Sequence, residues 1–468
     1  MSEYSMLING RSVTSAEQDD VIDPARGEPF ATCPRGTTAH VDAAVTAAAD
    51  AYKTWRKDEA LRRAKLKECA AAIQSRVQDI ATVLSREQGK PITAAMGETF
   101  GASMWFSYYA NLALEPEVLQ DDGEKRIEVI RKPLGVVAAI TPWNFPVILL
   151  AWKLAPAWLA GNTVVAKPSP FTPLTSLMVA EILKDVMPPG VLNVLSGGNE
   201  LGAHLATHPG VRKISFTGSV ATGKKIMGYA VDDLKRTTLE LGGNDPAIVL
   251  DDVDPKVVSE QLFWGAFQNS GQVCTAIKRL YVHEKVYEPI VEGLVAQAKA
   301  VRVGPGNDPE TQLGPINNKP QLERVMGLVD DARKSGGTVR SGGGRLEGAG
   351  YFYPPTIVTD VGAGVRLVDE EQFGTALPVM RYSNLDDALE QANRTHYGLG
   401  ASVWTSDPAR GAQIIRDVES GTGWVNHHMD ITPFTPFGGA KWSGIGYENG
   451  RWGYEAFTEM QVVNVKKA

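Results

Sequence analysis

The sequence predicts an α/β protein with a doubly wound parallel sheet, a second α/β unit and a small β arm. Strand-like and helical segments alternate from residue 136 to residue 230, and the alternation begins again after Gly243. Two short segments, 127–132 and 459–465, alternate between apolar and polar residues as half-buried strands do. Strands that alternate with helices favour a parallel sheet, which binds its ligand at the carboxyl ends of the strands.

The individual elements are predicted from hydrophobic periodicity and turn residues, in chain order. The chain begins with a strand at 6–8, a turn at Asn9-Gly10, an Ala-rich helical region at 38–107 and the arm strand at 127–132. The first α/β series has strands at 136–140, 163–166, 191–195 and 213–216 and helices at 147–159, 173–186, 200–206 and 223–230. The second series has strands at 246–250 and 279–282, helices at 255–269, 286–300 and 321–334, and an edge strand at 459–465.

The composition indicates a soluble globular protein of two or three domains. The 468 residues are 43% hydrophobic and 22% charged, and the net charge of −7 argues against nucleic acid as a partner. Three Cys residues form no disulfide framework and fit a reducing compartment. The N-terminus lacks the pattern of a signal peptide, and the most apolar stretch, 136–160, is interrupted by three prolines. We therefore expect a cytoplasmic protein without a membrane span, and no His and Cys spacing predicts a metal site.

The candidate catalytic residues are Cys274, Glu240 and Asn144. Cys274 follows a Gly and polar turn residues, as an exposed nucleophile would. Glu240 stands 34 positions earlier beside two glycines, where it can move towards the sulfur as a general base. Asn144 follows a predicted strand and can donate an amide N–H to an oxyanion, although an Asn between prolines is more often a turn residue. A lone Cys is more often a core residue, which is our interpretation of Cys33 and Cys69.

The segment 215–225 lies at a predicted strand-to-helix turn and has the features of a phosphate site. Free backbone N–H groups and a Ser cap suit a phosphate, although an ordinary capped helix has the same pattern. The segment nearly matches the phosphate loop of ATPases, but Lys225 replaces the hydroxyl residue that would hold Mg²⁺. A dinucleotide pyrophosphate is therefore the better ligand, and Lys167 at the end of another strand could bind its ribose hydroxyls or a phosphate.

Taken together, these segments resemble the aldehyde dehydrogenase superfamily, in order and over essentially the whole chain. The segments that carry the resemblance are 141–146 (Thr-Pro-Trp-Asn-Phe-Pro), 167–169 (Lys-Pro-Ser), 216–219 with Gly223, 240–244 (Glu-Leu-Gly-Gly-Asn), 271–274 (Gly-Gln-Val-Cys), 371–374 (Glu-Gln-Phe-Gly), Asn393 with 397–399, Asn426, and 436–439 with Lys441, Ser443 and Gly444.

The resemblance implies an enzyme that oxidises an aldehyde to the carboxylic acid with NAD(P)+. Cys274 would attack the aldehyde, and Asn144 and the Cys274 backbone N–H would hold the oxyanion. Hydride transfer would leave a thioester, which water activated by Glu240 would hydrolyse.

The resemblance also implies a domain organisation and an assembly. It implies a Rossmann-type cofactor-binding domain at 1–112 and 134–242, a catalytic domain at 243–445 and an oligomerisation arm at 113–133 and 446–468. It further implies a homodimer or homotetramer that acts on a small-molecule aldehyde.

Two further sets of residues follow from the resemblance. The cofactor contacts would be Trp143, Lys167, Ser169, Pro170, Gly218, Ser219, Gly223, Leu241, Glu371 and Phe373. Glu371 would hold the nicotinamide ribose, Phe373 would border the ring, and Lys167 would reach the adenosine ribose. The substrate pocket would be lined by Phe145, Leu149, Trp152, Val273, Thr275, His427 and Phe437. Such a lining suits an aldehyde with an apolar or aromatic body.

Three positions depart from the family pattern. Pro170 stands where the family often has Glu, so NAD and NADP are both plausible cofactors. Tyr447 stands where Arg is common, and a second histidine, His428, follows His427. Four other classes remain as alternatives: a CoA-acylating relative, which would lack a base such as Glu240, a Cys hydrolase that needs no nicotinamide, a phosphate-loop ATPase, and a non-catalytic binding protein on the same fold.

Overall fold

The structure is a computed structural model that describes residues 4–115 and 117–467 of the chain. The first part contains β1 (Met6–Ile8), β2 (Arg11–Val13), β3 (Gln18–Asp23), β4 (Glu28–Pro34), α1 (Thr38–Trp55), α2 (Glu59–Gln74), α3 (Val77–Gln88), α4 (Ile92–Asn111), β5 (Glu117–Asp121), β6 (Lys125–Pro133), β7 (Val136–Ile140), α5 (Pro146–Ala160), β8 (Thr163–Lys167), α6 (Leu174–Leu183), β9 (Leu192–Val194), α7 (Asn199–Thr207), β10 (Val211–Thr217), α8 (Val220–Ala230) and β11 (Arg236–Glu240). The second part contains β12 (Asp245–Val249), α9 (Pro255–Phe267), β13 (Ile277–His283), α10 (Tyr287–Ala300), α11 (Lys319–Lys334), β14 (Thr338–Ser341), β15 (Thr356–Thr359), α12 (Arg366–Asp369), β16 (Ala376–Tyr382), α13 (Leu385–Asn393), β17 (Gly400–Trp404), α14 (Pro408–Ile414), β18 (Thr422–Val425), β19 (Gly444–Ile445), α15 (Gly450–Glu455) and β20 (Thr458–Lys466).

The first part of the chain forms an eight-stranded sheet in the order β19-β11-β10-β7-β8-β9-β1-β2. The five strands from β11 to β9 pair in parallel, and the strands outside them are antiparallel. The chain runs from β7 outwards through β8 and β9 and then returns to β10 on the other side of β7. The direction of winding therefore reverses between β7 and β10, which opens a crevice at the carboxyl ends of these strands. The doubly wound parallel sheet predicted from the sequence is confirmed.

A second, seven-stranded sheet follows in the order β14-β15-β16-β13-β12-β17-β18, and every pair except β14–β15 is parallel. Only the segment 241–244 joins β11 of the first sheet to β12 of the second. The carboxyl end of β11 therefore lies beside the amino end of β12, and the loops at this junction come from both sheets.

The arm is a three-stranded antiparallel sheet in the order β20-β6-β5. β20 pairs with β6 from Thr458 opposite Pro133 to Lys466 opposite Lys125, so the segment predicted as an edge strand joins a distant part of the chain. Separately, β3 and β4 form a hairpin.

The boundaries of the predicted elements differ from the structure where side chains cap or break a helix. The strand at 136–140 has the predicted ends, because it is an uninterrupted apolar run that is buried at every residue. The helix predicted at 255–269 ends at Phe267, because the backbone after it leaves the helical region. Among the strands, β5, β11 and β14 to β19 were not predicted. No helix within 4–115 and 117–467 is long and apolar enough to cross a membrane.

Candidate active site

A cavity of about 400 Å³ opens at the carboxyl ends of β7, β10 and β11. This position is the crevice at which a doubly wound sheet binds its ligand. The lining includes Asn144 and Cys274, and it also includes six of the predicted cofactor contacts, namely Trp143, Gly218, Ser219, Leu241, Glu371 and Phe373. The structure therefore brings together residues that lie far apart in the sequence.

Cys274 lies on an irregular loop between α9 and β13. Asn269, Ser270 and Gly271 have φ angles of 51°, 57° and 71°, which end the helix and turn the chain. Positive φ at two successive residues other than Gly is uncommon, and such strain concentrates at functional sites. The loop holds Cys274 half-buried, whereas Cys33 and Cys69 are buried in the core.

Side chains from other elements hold the carbonyl groups of this loop. Asn144 donates from Nδ2 to the Gln272 carbonyl over 3.0 Å. Lys278 donates from Nζ to the carbonyl groups of Val273 and Cys274 over 2.9 and 2.5 Å. An Asn side chain has two N–H groups. One of those of Asn144 is used to hold the loop, and the other is available to an oxyanion beside Cys274.

The position of Asn144 is fixed in turn by a buried ion pair. Lys90 Nζ donates to the Asn144 carbonyl over 2.8 Å and lies 2.5 Å from Glu98 Oε2. The other oxygen of Glu98 accepts the N–H groups of Val147 and Ile148 over 2.9 and 3.3 Å, at the first turn of α5. Glu98 therefore caps the helix that follows Asn144.

Glu240 is the last residue of β11 and directly precedes Leu241 in the cavity wall. Its side chain is buried, and neither carboxylate oxygen has a hydrogen-bond partner among the residues that the structure describes. Burial raises the pKa of Glu240 well above its usual range, the nearby Glu448 raises it further, and Lys153 lowers it. A carboxyl group with a raised pKa and free oxygens is typical of a general base.

The groups that perturb Glu240 form a buried polar network. Lys153 Nζ lies 2.6 Å from Glu448 Oε1 and also donates to the hydroxyl groups of Ser215 and Thr217 over 3.2 and 2.8 Å. The network connects α5, β10 and the segment before α15. Lys153 was not singled out in the sequence, although a Lys within the otherwise apolar helix at 147–159 indicates a buried charge.

The thiol of Cys274 lies among charged groups. Burial raises the pKa of Cys274 to about 12, Lys278 lowers it, and Asp245, Glu240 and Glu371 raise it. Lys278 is therefore the only group of these that favours the thiolate.

The turn between β10 and α8 has the geometry expected of a phosphate site. Ser219 caps α8 by accepting the Thr222 N–H over 3.3 Å, and the Gly218 N–H donates to the Glu240 carbonyl over 3.0 Å. A Cβ at Gly223 would lie 2.6 Å from Leu241 Cδ2, so only Gly lets the helix approach the cavity wall this closely.

Glu371 and Phe373 form the opposite wall. Glu371 Oε1 accepts the Gly243 N–H over 3.0 Å, and a Cβ at Gly242 would lie 2.0 Å from Glu371 Oε2. Phe373 has a φ of 50° and meets the Trp143 ring edge-on at a centroid distance of 5.2 Å. Gln321 and Arg324, which the sequence analysis missed, hold this wall. Gln321 donates to the carbonyl groups of Gln372 and Phe373, and Arg324 donates to that of Glu371.

Of the other predicted cofactor contacts, Gly223 packs on Leu241 of the first cavity, whereas Lys167, Ser169 and Pro170 belong to the segment that reaches a second cavity of about 740 Å³. Pro170 lines this cavity, together with Asp19, Asp20, Arg35 and Glu200 among other residues. Lys167 is buried at the end of β8, donates to the Pro168 carbonyl over 3.0 Å, and has a pKa that burial lowers to about 8. Ser169 accepts the Phe171 N–H over 3.3 Å and so shapes the turn.

The predicted substrate residues separate into two groups. Trp152 stacks on Trp105 at a centroid distance of 5.3 Å and meets the edge of Phe437 at 5.5 Å. Leu149 and Val273 are buried, and Lys90 Nζ lies 3.9 Å from the ring centroid of Phe145. Trp105, Leu149, Trp152 and Phe437 belong to one hydrophobic cluster, against which Phe145 packs, and we call these five side chains the apolar group.

Thr275, His427 and His428 lie outside that apolar group. Thr275 is fully buried, and its carbonyl accepts from His428 Nε2 over 2.6 Å. Burial of the His428 ring lowers its pKa to about 3. His427 is exposed, and its Nδ1 lies 4.0 Å from Asp430. In the described part of the chain, no group of three or more His, Cys, Asp or Glu side chains could hold a metal ion.

The fold and the site are those of a doubly wound α/β protein with a thiol at its ligand crevice. Residues 12–463 match the model of the aldehyde dehydrogenase family. The chain is 39% identical over 462 residues to a chloroplastic aminoaldehyde dehydrogenase of Arabidopsis thaliana, covering 95% of this chain and 92% of the relative. It is 38% identical over 464 residues to betaine aldehyde dehydrogenase 1 of Oryza sativa subsp. japonica, covering 95% of this chain and 91% of the relative. The solved NAD+ complex of an aldehyde dehydrogenase from Bacillus cereus has a TM-score of 0.97 and 34% identity, covering 99% of this chain and 96% of that one. The chain therefore belongs to the aldehyde dehydrogenase family, whose members are oxidoreductases that act on aldehydes, and the resemblance found in the sequence is confirmed.

Proposed function

We propose that this protein oxidises an aldehyde to the free carboxylic acid with NAD+ or NADP+, through a thioester on Cys274. The observation that carries the proposal is that Cys274 and Asn144 share one cavity with Glu371 and the Gly218 turn, and that Glu240 directly precedes its wall. A nucleophile, an oxyanion donor and a base thus border the same space as a dinucleotide crevice.

The residues at the crevice fit a dinucleotide cofactor. The N-terminus of α8, with its cap Ser219, presents N–H groups to a phosphate, and Glu371 can accept hydrogen bonds from ribose hydroxyls. Lys167 stands at the end of β8 for the second ribose. When bound, the nicotinamide accepts a hydride from the substrate. The aldehyde dehydrogenase from Bacillus cereus, which was solved as an NAD+ complex, supports this ligand class.

Each step of the reaction can be assigned to residues of this chain. Cys274 attacks the carbonyl carbon as a thiolate, and the resulting oxyanion receives the second N–H of Asn144 and the backbone N–H of Cys274, each worth about 3 kcal/mol in sites of this kind. Loss of hydride from the adduct leaves a thioester on Sγ. Glu240 then accepts a proton from water, the water oxygen attacks the thioester carbon, and the carboxylic acid leaves as the thiolate forms again.

An aldehyde with an apolar or aromatic body is the proposed substrate class. The group formed by Trp105, Leu149, Trp152 and Phe437 offers aromatic and aliphatic surface and no carboxylate. Cationic aldehydes are the second candidate class, because two relatives are named for aminoaldehyde and betaine aldehyde and because aromatic rings also bind cations. A panel of aliphatic, aromatic and ω-charged aldehydes, run with both cofactors, separates the two classes by kcat/KM.

The proposed assembly and location follow the sequence-based expectations. We retain the cofactor-binding, catalytic and arm boundaries as proposals, together with a homodimer or homotetramer. Three unpaired cysteines suit the cytoplasm, where thiols stay reduced. Among the alternatives, the presence of Glu240 argues against a CoA-acylating relative, and a dinucleotide crevice would have no use in a Cys hydrolase.

The Cys274→Ala variant tests the proposal directly. It should lose oxidation of every aldehyde and still bind the cofactor, because Cys33 and Cys69 are buried in the core and neither lines the cavity that contains Asn144. Steady-state assays give turnover, and fluorescence titration with NAD+ and NADP+ gives binding. Cys69→Ala serves as the matched control and should retain turnover. Turnover of Cys274→Ala within about tenfold of wild type would contradict a thioester mechanism.

A further inference from the structure

Lys278, the second residue of β13, touches both the nucleophile loop and the wall that carries Glu371. Its side chain is only 3% exposed, and Nζ donates to the Val273 and Cys274 carbonyl groups and lies 3.5 Å from Glu371 Oε1. Nζ also lies 5.8 Å from the centroid of the Phe373 ring. An ammonium group has three N–H donors. Two of those of Lys278 bind the loop carbonyl groups, and the third is directed towards the Glu371 carboxylate.

We propose that Lys278 is a positioning residue that fixes the Cys274 loop against Glu371 and supplies the positive charge that the Cys274 thiolate needs. The catalytic consequence of this inference rests on the proposed function, whereas the contacts of Lys278 do not depend on it. Two carbonyl groups on an irregular loop require donors, since an unpaired buried carbonyl is costly. Lys278 donates to both, beside the Ala276 N–H that also reaches the Val273 carbonyl over 3.1 Å, and so helps to set the direction of the Cys274 backbone N–H.

The charges around Cys274 make this contribution necessary. The thiol faces Asp245 at the start of β12, Glu240 at the end of β11, and Glu371, and each of these carboxyl groups disfavours a thiolate. Lys278 is the cation that opposes them, and it also lowers the pKa values of Asp245 and Glu371 relative to the effect of burial alone. An opposite charge within about 4–6 Å favours the charged form of a group.

The experiment compares three substitutions at one position by their effect on the thiol. Lys278→Met removes the donors and the charge, Lys278→Gln keeps donors without the charge, and Lys278→Arg keeps both. The rate of Cys274 alkylation by iodoacetamide is measured against pH in the enzyme without cofactor, with the modified residue identified by mass spectrometry. Steady-state KM for the cofactor and kcat are measured in parallel.

We expect Lys278→Met and Lys278→Gln to shift the midpoint of the alkylation profile upward by about one pH unit, so that the alkylation rate near pH 8 falls about tenfold. Lys278→Arg should restore the midpoint. Lys278→Met should also raise the KM for the cofactor more than that for the aldehyde, because Glu371 loses its cation. Lys235→Met is the matched control, since Lys235 is also a buried Lys that binds a carbonyl, that of His208, and a carboxylate, that of Asp233.

The outcomes separate this inference from the proposed function. If the alkylation profiles of Lys278→Gln and Lys278→Arg both match that of the wild type, the positive charge at this position has no effect on the thiol and its proposed role is overturned. This comparison tests the charge even if Lys278→Met does not fold. A shift of the same size in Lys235→Met would also overturn it, since any buried Lys would then have the effect. A wild type that oxidises no aldehyde would refute the proposed function and leave the alkylation result readable.

Discussion

At the scale of single residues, the environment of Glu240 explains how a carboxyl group could act as a base beside a thiol. The carboxyl group lies buried at the end of β11, and neither of its oxygens has a hydrogen-bond partner in the described structure. Burial and Glu448 raise its pKa, and Lys153 opposes them. A proton on Glu240 is therefore held more firmly than on an exposed Glu, which would make the ionised form the stronger base in the proposed hydrolysis.

Glu240→Gln should slow hydrolysis of the thioester much more than its formation, because only hydrolysis needs an activated water. Stopped-flow absorbance should then show a burst of reduced cofactor followed by a slow phase. In the wild type, kcat should rise as the pH passes upward through the raised pKa of Glu240, since only the deprotonated carboxylate accepts a proton. This rise should be absent from the Gln variant. Loss of cofactor binding in Glu240→Gln would indicate a structural role instead.

Pro170 decides the expected choice of cofactor. A Glu at this position would accept hydrogen bonds from ribose hydroxyls and repel a 2′-phosphate, whereas Pro has neither a side-chain acceptor nor a charge. Lys167 remains available to a phosphate. We predict that both cofactors work and that Pro170→Glu shifts preference towards NAD by about 1–2 kcal/mol. The measurement is kcat/KM for both cofactors, and Pro170→Gln separates the acceptor from the charge. If kcat/KM of the wild type is about a thousandfold lower with NADP than with NAD, another group excludes the 2′-phosphate. The candidates are Asp19, Asp20 and Glu200, which line the same cavity.

At the scale of secondary structure elements, the active site depends on how α4 and α5 are joined. Glu98 on α4 accepts the first N–H groups of α5, and Lys90 links Glu98 to the Asn144 carbonyl. The free N–H groups at a helix start carry a partial positive charge, so a buried carboxylate is stabilised there. The Lys90–Glu98 pair thus holds the start of α5 and the Asn144 backbone, which precedes it, in one arrangement.

Lys90→Met should therefore destabilise the fold and impair catalysis together. Breaking a buried ion pair leaves an uncompensated charge and costs about 3–5 kcal/mol. Chemical denaturation should show the loss of stability, and kcat should fall because the Asn144 carbonyl loses its shorter hydrogen bond and keeps only the one from Asn269 Nδ2 over 3.3 Å. Lys53→Met, at an exposed Lys that also pairs with a carboxylate, is the control and should change neither. An unchanged kcat in a folded Lys90→Met would show that Asn144 needs no support from α4.

The comparison of sequence and structure shows what local patterns can predict. Both ends of the strand at 136–140 were predicted correctly, because the strand is a continuous run of apolar residues that is visible in the sequence. By contrast, β11 carries Arg236, two Thr residues and Glu240, a pattern without a clear apolar face, and it was missed. The partners of buried charges were also missed, because Lys153 and Glu448 are 295 positions apart and nothing local indicates their contact. The candidate nucleophile and base were found because glycine-rich turns mark both segments, whereas Lys278 carries no such mark.

At the scale of the whole molecule, the three-stranded arm leaves several large apolar side chains exposed. A three-stranded sheet needs an apolar face packed on something to be stable. Met460, Val462 and Val465 on β20 are 68%, 61% and 51% exposed, and Leu119 on β5 is 60% exposed. Exposed apolar side chains grouped on one small sheet are typical of a contact between proteins. A second copy of the chain is the partner that the proposed oligomer supplies.

Deletion of residues 459–468 should therefore break the oligomer. The deletion removes almost all of β20 and eight of the nine residue pairs that it forms with β6, which exposes an unpaired strand edge. Size-exclusion chromatography with light scattering should then show a monomer, or aggregates formed through the free edge, in place of a defined assembly. Truncation after Lys466 keeps β20 complete and should leave the assembly unchanged. Specific activity per subunit distinguishes an effect on assembly from an effect on the active site. In the described part of the chain, no residue of the β20-β6-β5 sheet lines the cavity between β7 and β10. A truncated chain that still assembles at the full mass would show that subunits join through another surface.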